Sequence, residues 1–190
     1  MWAQSVMNCG ALILAAGGSS RLGTPKELVL LSKETLLDRS IRISKEAGCS
    51  PVVVVLGAFE DQIRRQCDLQ DTVVVSHAGW AEGMGTSLAR GIQAFDTVAS
   101  VILMTCDMPA VTADHLLALQ ATGEVTASSY AERRGVPAYF PQTVFPELLR
   151  VTGDAGARDL LRSASFVALP GGELDIDTTE ELRLAMTAFG

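Results

Sequence analysis

Four short stretches carry residues that could do chemistry. Residues 12–26 read LILAAGGSSRLGTPK, an apolar run that empties into a loop with three glycines, two serines and two fixed cations, Arg21 and Lys26. Residues 101–109 read VILMTCDMP, so a carboxylate, Asp107, stands where an apolar run ends, just before Pro109. Residues 73–92 read VVVSHAGWAEGMGTSLARGI, in which Gly83, Met84 and Gly85 lead into a helical pattern whose first turn carries Thr86 and Ser87. Leu174-Asp175-Ile176-Asp177 sets two carboxylates at period two ahead of Thr178-Thr179-Glu180-Glu181.

The first stretch has the makings of a phosphate cradle, and its spacing decides which kinds it is not. Gly18 and Gly23 bracket four residues as in G-x-x-x-x-G-K-[ST], but Thr24 and Pro25 separate Gly23 from Lys26, so the ordinary P-loop pattern fails. Glycines at the first, third and sixth places of one turn are also missing, which excludes the dinucleotide fingerprint. What remains is a buried strand delivering a glycine-rich turn with outward backbone N–H groups and two cations close behind, a loop suited to a polyphosphate.

Each other stretch admits a structural and a chemical reading. Asp107 either caps a turn before Pro109 or the helix at Thr112, or holds a hard cation such as Mg²⁺ from the tip of its strand. Gly83–Ser87 is either a tight turn with a hydroxyl cap or a helix start that a ligand approaches closely. Alternation puts Asp175 and Asp177 on one face, either as acids acting on the dipole of the following helix or as part of the site. His77 and His115 form no pair in sequence and read as structural. Ser19 and Ser20 lack the G-x-S-x-G elbow, so a hydrolase triad has no support.

The elements that must position these residues alternate between β-branched apolar runs and helical periodicity. Strands are expected at Ala11–Ala16, Pro51–Leu56, Thr72–Ser76, Ser100–Thr105, Glu124–Ser128, Ala138–Phe140 and Phe166–Leu169. Helices are expected at Thr35–Ala47, Phe59–Cys67, Thr86–Phe95, Thr112–Ala121, Gln142–Leu149, Ala155–Ser163 and from Thr178, where a capping box opens the last one. This βαβαβ pattern predicts an α/β fold, a Rossmann-like three-layer sandwich with a mostly parallel central sheet. Ligands of such sheets bind beyond the carboxyl ends of the strands, where Asp107 and the glycine loop fall.

The chain has 190 residues, 48% hydrophobic and 19% charged, with no linker or repeat, and reads as a single domain over 1–190. A net charge of −7 argues against a nucleic-acid binder. No apolar run approaches the ~18 residues of a membrane span, and no basic leader precedes an apolar stretch, so a cytoplasmic location is expected. Cys9, Cys49, Cys67 and Cys106 are scattered without a C-x-x-C pair, as expected of reduced thiols.

LILAAGGSSRLGTPKELV resembles the LAAGxSxRMGxxKxLL signature of the molybdenum cofactor cytidylyltransferase group, within nucleotidyltransferases of glycosyltransferase-A type fold. WAEGMGTSLARGI, LMTCDMPAVT, GVPAYF, FPELLRVTGDAGARDLL and DIDTTEEL follow in the order of that group's further blocks. The resemblance implies that Leu14, Ala15, Ala16, Gly17 and Gly18 line the nucleotide, with Arg21 and Lys26 on its triphosphate and Gly83, Met84, Gly85, Thr86 and Ser87 completing the pocket. It implies Mg²⁺ on Asp107 and Asp177, catalytic roles for Arg21, Lys26 and Asp107, and an acceptor contact at Gly153, Asp154, Gly156 and Arg158. Ala155 stands where the group commonly has Lys. The implied reaction joins CTP to molybdenum-bearing molybdopterin with release of pyrophosphate, the product passing to a hydroxylase of the xanthine dehydrogenase type. A related transferase using GTP, or a sugar or polyol phosphate, is the neighbouring reading; a non-catalytic chaperone for the cofactor is the reading from another class.

Overall fold

The computed structural model describes residues 8–18, 22–155 and 157–189. The predicted α/β architecture is present. A seven-stranded sheet is built on β1 (Cys9–Ala15), whose seven residues are all buried. After β1 the chain makes a small antiparallel ribbon of β2 (Leu30–Leu31) and β3 (Glu34–Thr35). It then forms α1 (Leu36–Glu46), β4 (Val52–Leu56), α2 (Glu60–Gln66), β5 (Val73–Ser76), α3 (Met84–Ile92), β6 (Ser100–Thr105) and α4 (Ala113–Gln120). A hairpin of β7 (Thr126–Tyr130) and β8 (Arg133–Pro141) follows, then α5 (Phe145–Leu148), α6 (Arg158–Leu161), β9 (Ser165–Ala168) and α7 (Thr179–Phe189).

The strand order is β5-β4-β1-β6-β8-β7-β9. β1 runs parallel to β4 and β6, and β8 is antiparallel to both of its neighbours. The chain leaves β1 toward β4 and β5, then returns through α3 to β6 on β1's other side, so the order reverses at β1. Open sheets of this kind place ligands in the crevice beyond such a reversal.

Strand alternation sorts the core into two layers. Ala11, Ile13, Val54, Ile102 and Met104 face the side covered by α1 and α4. Leu12, Leu14, Val53, Val55, Val101 and Leu103 face the side covered by α3, α5 and α6. Thr35 and Thr112 cap α1 and α4, accepting from the N–H groups of Asp38 and His115. No helix of the described residues is long and apolar enough to cross a membrane.

The structure departs from the expected elements mainly between residues 126 and 161. β8 begins five residues before the expected strand because Ala131 and Glu132, at φ 45° and 59°, make a two-residue hairpin turn without the glycine or asparagine that usually announces one. The helix expected at Gln142–Leu149 begins as a 3-10 turn (Gln142–Val144) that runs into α5, and the one expected at Ala155–Ser163 shrinks to the four residues of α6.

Two tests follow from the packing. A Cβ on Gly91 of α3 would lie 2.4 Å from Leu12 Cδ1, deep in the core. Gly91→Ala is expected to cost about 1–3 kcal/mol in urea denaturation through overpacking. Ser128 donates its one hydroxyl proton to the Pro137 carbonyl, so buried His115 donates to Ser128 Oγ (2.7 Å) as the neutral ring, its pKa pushed below the ordinary value by burial. The unfolded chain therefore binds more protons in the window just below the free imidazole value. Stability should fall as the pH falls through the free imidazole value of about 6.5, and non-titrating His115→Gln should flatten that slope.

Candidate functional site

β1 and β6 are adjacent and in register, Leu14 opposite Thr105, so the glycine loop and Asp107 leave the sheet side by side. The Ile176 N–H donates to the Asp107 carbonyl at 2.9 Å, and Ile176 itself is fully buried. That bond ties the Asp175–Asp177 segment to the end of β6. Lys26 opens a single 3-10 turn (Lys26–Leu28) after Pro25, and its Nζ donates to Asp107 Oδ2 and, at 3.1 Å, to Asp177 Oδ1. Burial alone would lower the Lys26 pKa, but the Asp107 carboxylate outweighs it and the ammonium is held firmly protonated. Three segments separated by 81 and 70 residues thus meet in one charged cluster.

Asp107 is 7% exposed, and its Oδ1 is buried without a hydrogen-bond partner among the described residues. Leaving such an oxygen unmatched costs free energy unless a ligand meets it. Mg²⁺ is held by one or two carboxylates with the rest of its shell from substrate phosphates and water, and Asp107 with Asp177 is such a donor set. No cluster of three or more metal-ligating side chains occurs among the described residues, so the rest of a cation's shell here would come from water and the substrate's oxygens.

Of the residues implied for the nucleotide, Leu14, Ala15 and Ala16 are buried, whereas Gly17 is exposed with open space where a Cβ would be. Gly18 faces the edge of the Trp80 ring, 3.4 Å from a built Cβ, and Gly57 is barred from a side chain by the Ala16 carbonyl and Trp80. Trp80 is therefore a wall of the loop that sequence reasoning missed. Arg21 and Gly156 lie outside the described residues.

Gly83 sits at φ 112°, and a Cβ there would strike the Gly153 carbonyl carbon at 2.5 Å; one on Gly85 would strike Thr152 at 2.8 Å. These contacts dock the start of α3 against residues 152–154, joining the segment implied for the nucleotide to the one implied for the acceptor. Met84 is exposed at this start. Thr86 is engaged with the Gly83 carbonyl (2.8 Å) and the His77 ring (3.0 Å), and Ser87 is buried.

Beside the charged cluster lies a cavity of about 550 Å³, bordered by Asp107, Asp175, Asp154, Arg158, Met84 and Leu14 among others. Asp154 and Arg158 were expected there. Tyr130, Arg133 and Arg134 of the hairpin also border it, and sequence reasoning did not single them out. The only signal was their place directly before GVPAYF. Asp175 borders the cavity while Asp177 joins Lys26, so two acids at period two serve different neighbours. Burial, then Asp107, raises the Asp175 pKa above the ordinary carboxylate value. All four cysteines are free, and burial pushes the Cys106 thiol, next to Asp107, well up, with Glu27 adding to the effect.

Comparison with known proteins fits this geometry. A sequence model of the MobA-like NTP transferase domain family matches residues 11–168. The chain is 30% identical to the nicotine blue oxidoreductase of Paenarthrobacter nicotinovorans, over 90% of this chain and 93% of that one. It is 31% identical to the molybdenum cofactor cytidylyltransferase of Escherichia coli strain K12, over 58% of this chain and 56% of that one. Among solved structures, Rv0371c of Mycobacterium tuberculosis H37Rv superposes with a TM-score of 0.85 at 29% identity, over 96% of this chain and 98% of that one. A complex of Rv0371c with manganese superposes at 0.81 with 25% identity, over 96% and 99%.

The cluster makes a counter-intuitive test available. Because the Lys26 ammonium occupies the space between two carboxylates, Lys26→Met should bind Mn²⁺ alone more tightly than wild type, by about tenfold for one removed like charge, while binding a nucleoside triphosphate more weakly. Electron paramagnetic resonance of free Mn²⁺ reads the first effect and calorimetry the second; weaker Mn²⁺ binding by the variant would separate Lys26 from the cation site.

Proposed function

The chain belongs to the family of MobA-like NTP transferase domains, and from that premise we propose that it is a Mg²⁺-dependent cytidylyltransferase joining CTP to a phosphorylated acceptor, molybdenum-bearing molybdopterin. The observation that carries the proposal is the Lys26 ammonium between Asp107 and Asp177 at the carboxyl ends of β1 and β6, beside a cavity of about 550 Å³. A polyphosphate and a divalent cation need that combination of charges.

In this reaction the acceptor's terminal phosphate oxygen attacks the α-phosphorus of CTP, the α–β bridging bond breaks, and pyrophosphate leaves. The nucleophile is already an anion and no side chain has to remove a proton. His77 and His115 are engaged with Thr86 and Ser128, in keeping with a mechanism that needs neither. The chain's task is to position two anions and offset their charge. Lys26, and Arg21 by resemblance, would hold the β- and γ-phosphates. Asp107 and Asp177 would hold Mg²⁺, which when bound supplies charge neutralisation at the α-phosphate. Leu14–Gly18 and the start of α3 would cradle the nucleoside, Asp154 and Arg158 the acceptor. Delivery of the product to a hydroxylase of the xanthine dehydrogenase type, in the cytoplasm, completes the proposal.

Incubation with molybdopterin, Mg²⁺ and each nucleotide in turn tests it: pyrophosphate should appear with CTP and far less with GTP or ATP. Release with no preference among nucleotides removes the cytidylyl assignment, and cofactor binding without release identifies a carrier. Asp107→Ala should stay folded by circular dichroism and lose at least about 10²-fold in turnover. Asp177→Asn should raise the Mg²⁺ concentration for half-maximal rate, and Asp175→Asn should raise it less.

A further inference from the structure

Tyr130 and Arg133 are opposed across the hairpin turn, so their side chains project from the same face of the sheet. The Tyr130 ring is fixed by what surrounds it. A Cβ on Gly135 would lie 2.3 Å from its hydroxyl oxygen, and one on Gly172 would lie 2.8 Å from its ring. Its hydroxyl donates to the Val136 carbonyl at 3.2 Å. The Arg133 guanidinium rests over this platform, 5.4 Å from the ring centroid.

Stacking on a ring uses the flat face of a guanidinium and leaves its edge donors for a ligand. Arg133 has no ion-pair partner among the described residues, and neither has Arg158 on α6, which borders the same cavity. Arg134 is used otherwise: its guanidinium lies over Phe166 and donates to the Arg162 carbonyl at 2.7 Å. Asp107 and Asp175 also border the cavity, so an anion entering it is repelled by the carboxylates and attracted to the two unpaired guanidiniums.

We propose that Arg133, set on the Tyr130 ring and acting with Arg158, is an anion subsite that takes the phosphoryl group of a phosphomonoester acceptor. The assignment of that anion to the acceptor rests on the transferase reading above. The subsite leaves the Lys26 side of the cluster to the nucleotide, so the two anions need not share a cation. Apolar wall residues, including Leu103 and Val136, suit the body of an acceptor with a flat or apolar surface. An arginine fork on a phosphate is charge-assisted and geometrically demanding, so lysine should replace it only partly.

The test uses the whole chain with inorganic phosphate as probe, after α,β-methylene-CTP and Mg²⁺ have filled the nucleotide site. Phosphate binding is followed by ³¹P line broadening. Arg133→Gln and Arg158→Gln should each weaken it about tenfold, Arg133→Lys should weaken it less, and Arg183→Gln on α7 should match wild type. In turnover, Arg133→Gln should raise the acceptor concentration for half-maximal rate by a similar factor and leave the CTP requirement unchanged. Wild type that binds no phosphate, or binding that Arg133→Gln leaves intact, overturns the subsite. Phosphate binding that depends on Arg133 in a protein that takes up no CTP analogue would instead keep the subsite and sink the transferase reading.

Discussion

Two carboxylates brought to the tip of a buried strand repel each other, and a cation placed between them offsets that repulsion. In this protein that cation is the Lys26 ammonium, bonded to Asp107 and Asp177, and much of the site's geometry depends on the arrangement. It requires β1 beside β6, so that the loop after β1 can return Lys26 to the end of β6. It requires the Ile176 N–H on the Asp107 carbonyl, which delivers Asp177 from the far end of the chain. The order reversal at β1 makes both possible.

The same cluster explains why the site is poised for charged ligands. Asp107 keeps one buried oxygen without a hydrogen bond among the described residues, a cost that a bound cation would offset. The glycines around it allow close approaches that a side chain would block. Gly83 and Gly85 let α3 touch residues 152–154, and Gly135 and Gly172 hold Tyr130 in place. A methyl group at any of these four positions would push apart two segments that border the same ligand space.

Much of this was legible in the sequence, and the legible part has a common physical basis. Apolar runs of β-branched residues ending in a polar group marked β1 and β6, so the Asp107 strand end and the glycine loop could be placed before any coordinates. Period-two spacing suggested one face for Asp175 and Asp177, but residues 174–177 form no strand, and the acids flank a buried Ile176 and meet different neighbours. The sequence could not tell that these acids would part, one to Lys26 and one to the cavity, because that division depends on a tertiary contact between Ile176 and Asp107. The hairpin was obscured for a local reason: Ala131 and Glu132 adopt left-handed backbone without the usual turn residues. With the turn hidden, Tyr130, Arg133 and Arg134 could not be seen to border a cavity. Helix α6 was overestimated because apolar spacing extends beyond the few residues that complete helical turns.

On the proposed function, this cluster directs chemistry to the α-phosphorus of a nucleoside triphosphate. The most direct measurement follows ³²P from CTP labelled at the α or the γ position during incubation with Mg²⁺ and molybdopterin. The account predicts that the α label enters the cofactor product while the γ label leaves in pyrophosphate. Appearance of the γ label in the cofactor, or conversion of the cofactor without the α label, would contradict it.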